Sequence, residues 1–320
     1  MRKRPLGRSG LATAPLVFGG NVFGWTADKA RSFELLDAFI DAGFNAVDTS
    51  DSYARWVPGN VGGESETIIG DWLAARGRRD DVLILTKVGS SMGQNGDDDR
   101  HDLSPGWIER AVEDSLRRLR TDVIDLYQSH WPDPTTPQEE TLRAHERLIQ
   151  AGKVRAIGVS NHTAGATREA LAISAREGLH RYETLQPHYN LYSRSTFEGP
   201  LQDLAVEQGL GVITYFSLEA GFLSGKYRSA ADVEGTARSG ALKDKFDDRG
   251  LRILAALRAV AERNEATPAQ VSLAWLLSRP AVTAPIVSAT SLGQLNDTLK
   301  AAALTLPDGD LAELTKASDY

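Results

Sequence analysis

The chain has 320 residues, with 36 Lys plus Arg against 43 Asp plus Glu; the net charge of −7 argues against a polyanionic partner such as nucleic acid. It contains no cysteine, which excludes disulfides, thiolate metal sites and cysteine nucleophiles and fits a reducing, cytoplasmic setting. With 41% hydrophobic and 25% charged residues, and no apolar run near the roughly 18 residues a membrane helix needs, it reads as an ordinary globular protein without a membrane partner. The basic start (Arg2, Lys3, Arg4) is followed by a stretch broken at Pro5, Gly7, Ser9, Gly10 and Pro15, so no signal peptide is expected.

In chain order, the turn-rich stretch Arg2–Thr13 predicts a small hairpin closing one end of a barrel. A first buried strand follows at Leu16–Gly19. Phe33, Leu36 and Ile40 then repeat at helical spacing up to a stop at Gly43. A strand at Ala46–Thr49, a helix from Ser65 to Ala75 and a strand at Val82–Lys87 come next. Ser104 and Pro105 read as an N-cap with proline in the first turn, ahead of the apolar stripe Ile108, Val112, Leu116, Leu119. After a strand at Ile124–His130, Thr136-Pro137-Gln138-Glu139 repeats the start signal with Glu139 in the capping-box position, and that helix runs to Gly152. Strands are then expected at Ala156–Ser160, Thr184–His188 and Gly211–Tyr215. Ser224 to Arg249 is polar with little period, a long loop of the kind that usually serves function. A helix from Thr267-Pro268 to Ser278 and a strand at Ala284–Val287 complete the pattern. Eight strands alternating with helices, and no linker between two cores, predict one domain over residues 1–320: a (β/α)8 TIM barrel with a short N-terminal hairpin, rather than an open doubly wound sheet.

Several signatures of other chemistries are missing. No G-x-G-x-x-G follows the first strand, no phosphate-binding loop of the Walker type occurs, and no close His pair supports a metal site. Gly89-Ser90-Ser91-Met92-Gly93 matches the nucleophile elbow G-x-S-x-G, but Gln94-Asn95-Gly96 and Asp97-Asp98-Asp99 follow where a helix is required. What remains is a set of polar residues at the C-terminal ends of strands, the end that carries chemistry in an α/β barrel. Asp48 and Tyr53 lie in Asp48-Thr49-Ser50-Asp51-Ser52-Tyr53, Lys87 closes the third strand and His130 the fourth. Each has a plain structural alternative: a buried ion pair, a packed phenol, a satisfied core histidine. A buried lysine is costly without a carboxylate, however, and four such residues on consecutive strands facing one mouth favour function.

In these contexts Asp48, Tyr53, Lys87 and His130 resemble the aldo-keto reductase superfamily. The likeness covers nearly the whole chain. It includes Leu6-Gly7-Arg8-Ser9-Gly10-Leu11, Gly63-Glu64-Ser65-Glu66, Gly152-Lys153-Val154-Arg155-Ala156-Ile157-Gly158-Val159-Ser160-Asn161, Gln186-Pro187-His188-Tyr189-Asn190 and Gly221-Phe222-Leu223-Ser224-Gly225-Lys226-Tyr227. The resemblance implies a barrel that binds an extended nicotinamide dinucleotide, NADP or NAD, without a glycine fingerprint. It implies hydride transfer to an aldehyde or ketone, or the reverse from an alcohol. Such a reduction builds charge on the carbonyl oxygen that a proton donor must quench. Tyr53 is the expected general acid, Lys87 the cation that eases its proton release, Asp48 the group that holds Lys87 charged, and His130 a donor that places the substrate.

By the same resemblance Ser160, Asn161 and Gln186 match the trio that holds the nicotinamide carboxamide, and Tyr215 matches the ring stacked on the nicotinamide. Phe216, Ser217 and Leu218 are expected along the pyrophosphate, and Ser288, Thr290, Ser291 and Gln294 around the helix N-terminus that receives phosphate. NADP-preferring relatives carry a basic residue near these last positions; here Ser288, Thr290 and Gln294 stand there. Trp72, Trp107 and Trp275 fall in helices and read as packing. Trp25, Trp56 and Trp131 follow the first, second and fourth strands and would wall a cleft for a bulky or cyclic carbonyl substrate. The competing reading is a cofactor-binding, redox-sensing regulatory subunit of the same fold; the chain lacks an extended N-terminal arm for such a role, and the enzyme reading is favoured.

Overall fold

A computed structural model describes residues 1–91, 101–236 and 239–320 of the chain. Met92 and Gly93 of the elbow-like match and the run Asp97–Asp99 lie outside the described residues. Two short strands, β1 (Arg4–Pro5) and β2 (Ala12–Thr13), pair antiparallel as the expected hairpin. Eight parallel strands follow: β3 (Val17–Gly19), β4 (Ala46–Asp48), β5 (Leu83–Val88), β6 (Ile124–Ser129), β7 (Val154–Ser160), β8 (Tyr182–Gln186), β9 (Gly211–Thr214) and β10 (Val282–Val287). They pair in sequence order and β10 closes on β3, giving a (β/α)8 barrel in which helices lie between successive strands.

Alternation along each strand divides the apolar residues into two cores. Val17, Ala46, Leu85, Leu126, Ala156, Ile213, Ala284 and Ile286 fill the barrel, while their neighbours Phe18, Val47, Ile84, Tyr127, Ile157, Val212 and Val287 pack outward against the helices. This is why both faces of each strand read as apolar in sequence. Leu6, fully buried, joins the inner core and Leu11 packs against it, so the hairpin plugs one end of the barrel.

The helix starts show where local signals compete. Thr267 caps the helix Pro268–Ser278 with the full reciprocal box, Gln270 returning to the Thr267 backbone. The capping box expected at Thr136 does not form: the helix starts at Gln138, and the Thr136 hydroxyl donates instead to Asp133 Oδ2 at 2.6 Å. A carboxylate three residues upstream is the stronger acceptor for that hydroxyl. In the first helix, Lys29–Asp41, the buried face is centred on Leu35, Leu36 and Phe39; Phe33 and Ile40 sit at its edges. The stripe Ile108, Val112, Leu116, Leu119 is buried as expected. The long polar segment after Ser224 contains short turns at Ala230–Val233, Ser239–Leu242 and Lys243–Lys245 rather than open loop alone. It is tied down by Lys245, whose Nζ lies 2.9 Å from buried Glu219; against the effect of burial, hydrogen bonds from His188, Lys245 and Asn190 hold the Glu219 carboxyl down at about 2.

Candidate active site

The barrel interior turns from apolar to polar along the strand direction. Ala46 gives way to Asp48, Leu85 to Lys87, Leu126 to Gln128, and Ala156 to Ser160, all buried. The parallel register sets Lys87 opposite Gln128, Gln128 opposite Gly158, and Ser160 opposite Gln186. Gly158 is required by this crowding: a Cβ there would stand 2.0 Å from Thr184 Oγ1 and 3.3 Å from Gln128 Cγ.

Lys87 is wholly buried, and its ammonium has three acceptors for three N–H groups: Asp48 Oδ2 at 2.7 Å, the Thr49 carbonyl at 2.7 Å and the Tyr53 hydroxyl at 2.9 Å. Asp48 is equally well matched. Its Oδ2 takes Lys87 and, at 3.3 Å, the Tyr53 hydroxyl, while its Oδ1 takes the Gln186 side-chain amide at 2.8 Å. Burial lowers the Lys87 pKa and Asp48 opposes that shift. The Tyr53 phenol is pushed well above its ordinary value, by burial first and then by the Asp48 charge. The expected easing of Tyr53 by Lys87 thus takes the form of a direct N–H···O contact, within surroundings that keep the phenol protonated.

His130 completes the group, its ring centroid 6.1 Å from that of Tyr53. Its backbone N–H donates to the Val88 carbonyl at 2.8 Å, and its carbonyl accepts from the Asn161 amide at 2.9 Å. Burial and the Lys87 ammonium hold its pKa well below 6.5, so the imidazole is neutral. The four expected catalytic residues are therefore brought together.

The residues matched to the cofactor follow along the mouth. Ser160 Oγ donates to the Gln186 carbonyl at 2.8 Å, and Asn161 Nδ2 is 3.2 Å from Ser160 Oγ. The Tyr215 hydroxyl donates to Asn161 Oδ1 at 2.7 Å, and one face of its ring stacks on His188 at 5.2 Å. Phe216 is half exposed, the Ser217 hydroxyl turns back to the Thr214 carbonyl at 3.0 Å, and Leu218 packs against the outer core. Ser291 caps the helix Leu292–Leu299. Gln294 Oε1 accepts from both the N–H and the hydroxyl of Thr290, each at 3.0 Å, and Ser288 Oγ lies 2.6 Å from Asn21 Oδ1. Five of the seven non-glycine residues with positive φ among the described residues lie in loops after β4, β7 and β9: Ala54, Asn161, Phe216, Glu219 and Ala220. Such conformations cost about 1–3 kcal/mol each and persist where surrounding contacts over-determine them.

Trp25 and Trp56 meet edge to face at 5.7 Å, Trp56 lies 6.1 Å from Tyr53, and Trp131 stacks beside His130 at 6.2 Å. Trp72 and Trp275 are fully buried packing residues and Trp107 lies against the outer core.

Sequence reasoning passed over Thr49, whose carbonyl is the third Lys87 acceptor, and Gln128, which lies beneath Gln186 at 3.4 Å. It also passed over buried Ser50 and Asp51, the first with its hydroxyl beside His130, and the ion pair of buried Glu66 with partly buried Arg118 at 2.7 Å. The only signal was an acidic residue inside an otherwise small-residue run, three positions after Asp48. Removing one partner of a buried pair strands the other charge, typically at about 3–5 kcal/mol. Lys87→Met should therefore destabilise the fold by about that much, and Asp48→Asn combined with Lys87→Met should recover part of the loss. Urea denaturation of the single and double variants measures this, and strictly additive losses would contradict a coupled pair.

Residues 15–319 match the Aldo/keto reductase family. The chain is 35% identical to the oxidoreductase YrpG of Bacillus subtilis (strain 168), over 94% of this chain and 91% of the relative. It is 31% identical to Protein tas of Escherichia coli (strain K12), over 98% and 96%. A probable voltage-gated potassium channel subunit beta of Oryza sativa subsp. japonica is 34% identical over 94% of this chain and 91% of the relative. With a closed eight-stranded barrel and a polar cluster at the strand ends, the chain belongs to the aldo-keto reductase family, whose members are NAD(P)H-dependent oxidoreductases.

Proposed function

We propose that the protein reduces an aldehyde or ketone to the alcohol, or runs the reverse oxidation, with Tyr53 as the general acid. The observation that carries this reading is the Tyr53 hydroxyl, 2.9 Å from the Lys87 ammonium and 3.3 Å from Asp48 Oδ2, the carboxylate oxygen that also takes Lys87. A nicotinamide dinucleotide, when bound, supplies or accepts the hydride. The donor set suits it: Ser160, Asn161 and Gln186 supply a hydroxyl and two amides suited to a carboxamide, and Tyr215 and Phe216 supply rings beside them. As negative charge grows on the carbonyl oxygen, Tyr53 passes its proton there, and Lys87 stabilises the phenolate left behind. Burial and Asp48 keep Tyr53 protonated until that charge arrives. His130, neutral at working pH, hydrogen-bonds the same oxygen.

A second reading draws on the relatives from Oryza sativa subsp. japonica and Arabidopsis thaliana named as probable voltage-gated potassium channel subunits beta, 34% and 32% identical. A regulatory subunit of this fold would bind the cofactor without sustained turnover. Repeated turnover over a panel of aldehydes and ketones separates the two readings. In that assay Tyr53→Phe should lower kcat by about 10²–10⁴-fold. Its cofactor Kd, read from fluorescence quenching, should stay nearly unchanged. Near-normal turnover in Tyr53→Phe would remove the assigned acid.

NADH should be used at least as readily as it is by typical relatives of this family. A ribose 2′-phosphate calls for Arg or Lys, whereas Ser288, Thr290 and Gln294 offer no positive charge and the last two are engaged with each other. Comparing kcat/KM for the two reduced cofactors tests this. Thr290→Arg should move the ratio toward NADPH, and a strong native preference for NADPH would end the idea.

The aromatic wall of Trp25, Trp56 and Trp131 suits a bulky or cyclic substrate. Trp56 and Trp131 remain 47% and 37% exposed, so each has ring surface left to cover a ligand. Covering one ring face is worth on the order of 1–2 kcal/mol, or roughly a tenfold change in KM. Trp56→Ala and Trp131→Ala should raise KM for a polycyclic ketone and spare a small aliphatic aldehyde. KM values unchanged from the native protein for both substrates in both variants would dismiss the wall.

A further inference from the structure

Behind His130 lies a second polar cluster that the proposed proton transfer does not use. Ser50 Oγ sits 3.1 Å from His130 Nδ1, 3.0 Å from Asp51 Oδ1 and 3.0 Å from Ser52 Oγ, and it accepts the Ser52 backbone N–H at 3.2 Å. Asp51 is 2% exposed, and its other oxygen, Oδ2, is buried without a hydrogen-bond partner. A serine hydroxyl has one proton to give. Which neighbour receives that proton decides what Nδ1 of His130 must be.

We propose that Ser50 and Asp51 form a tautomer switch that sets which nitrogen of His130 carries the proton, and so whether the ring can donate to the substrate oxygen. This rests on the reading of His130 as that donor. With Asp51 ionised, Ser50 donates to Asp51 Oδ1 and accepts from His130 Nδ1–H, which leaves Nε2 bare. With Asp51 protonated, Asp51 donates to Ser50 and Ser50 donates to Nδ1, so Nε2, across the ring, carries the hydrogen. The two states differ by one proton. On protonation it enters at Nε2, the Nδ1 proton moves to Ser50, and the Ser50 proton moves to Asp51. No other bond changes.

The surroundings set the range over which the switch operates. Asp51 is faced by Glu66 from the helix Glu64–Arg76, by Arg118 from the helix Pro105–Leu119, by Lys87 of β5 and by Tyr127 of β6, with Ser50 and Ser52 on its own loop. Burial and the like charge of Glu66 outweigh the Ser50 contact and Arg118, raising its carboxyl to about 7. His130 is faced by Lys87, His101 and Arg55, which with burial keep the ring neutral throughout that range. What changes there is the tautomer and not the charge of the ring. Below the Asp51 midpoint His130 is a donor; above it the donor is lost.

The test is NMR of the imidazole nitrogens in the full-length protein without nicotinamide, from about pH 5.5 to pH 8.5. The His130 signals are assigned by their loss in His130→Gln. The expected result is Nε2–H at the acid end and Nδ1–H at the alkaline end, with a midpoint near that of Asp51. Asp51→Asn and Ser50→Ala should each leave one tautomer throughout. Carbonyl reduction should fall by roughly 10²-fold across the same midpoint, the usual cost of one oxyanion donor, and that step should vanish in Asp51→Asn. A single tautomer at all pH values in the native protein overturns the switch. So does a transition that persists unchanged in both Asp51→Asn and Ser50→Ala. A titrating tautomer in a protein that reduces no carbonyl would support the switch and remove the functional reading alone.

Discussion

The burial of one ammonium organises this molecule. Lys87 has no exposure to water, so each of its three N–H groups must find an acceptor inside the protein. Those acceptors come from the end of β4, from the backbone just beyond it and from the Tyr53 loop. Asp48 in turn needs a donor for its second oxygen, and Gln186 supplies it from across the barrel, 138 residues along the chain. An open sheet would leave β4 and β8 apart. Closure of the barrel and satisfaction of the charge are therefore one requirement, because stranding either partner of a buried pair costs several kcal/mol.

The same requirement explains the gradient inside the barrel. Leucine, valine, isoleucine and alanine fill the end plugged by Leu6 of the hairpin, where nothing polar could be satisfied. Toward the strand ends the interior positions become Asp48, Lys87, Gln128, Ser160 and Gln186, joined by hydrogen bonds from Lys87 to Asp48, from Gln186 to Asp48 and Gln128 across the barrel, and from Ser160 to the Gln186 carbonyl. Rigid strands thus carry the groups that must keep their distances. The loops beyond them carry strained backbone at Ala54, Asn161, Phe216, Glu219 and Ala220; the Asn161 amide reaches back to the His130 carbonyl, and the Phe216 carbonyl accepts from Asn190. Strain is tolerated there because the scaffold beneath does not move with it.

The eight strands were legible because residues buried on both faces leave continuous β-branched runs, and their ends were placed within a residue or two. The four central site residues were legible because lysine and aspartate are too costly to bury without each other. Other features needed three dimensions. The Thr136 box failed because the competing acceptor, Asp133, lies outside the four-residue motif that defines it. Ser50 and Asp51 carry no such signal in the sequence, because small polar side chains usually bond their own backbone. Only the juxtaposition of β4 with β6, two strands apart in the barrel, sets the Ser50 hydroxyl beside a ring 80 residues later.

The run Asp48–Tyr53 holds two aspartates whose situations differ by neighbours alone. Asp48 accepts from a lysine, a phenol and an amide, so both of its oxygens are partnered. Asp51, three residues on, has one serine hydroxyl, a backbone N–H and an unpartnered oxygen, with Glu66 nearby. Tyr53 and His130 are pushed in opposite directions by the same burial, the phenol up and the imidazole down, and both end neutral. Lys87 is thus the cation built into the site, placed where a phenolate would form. Separating acids and bases by environment rather than by residue type lets one short loop and the strands beside it hold a fixed charge at Lys87, a proton donor at Tyr53 and a proton-sensitive carboxyl at Asp51.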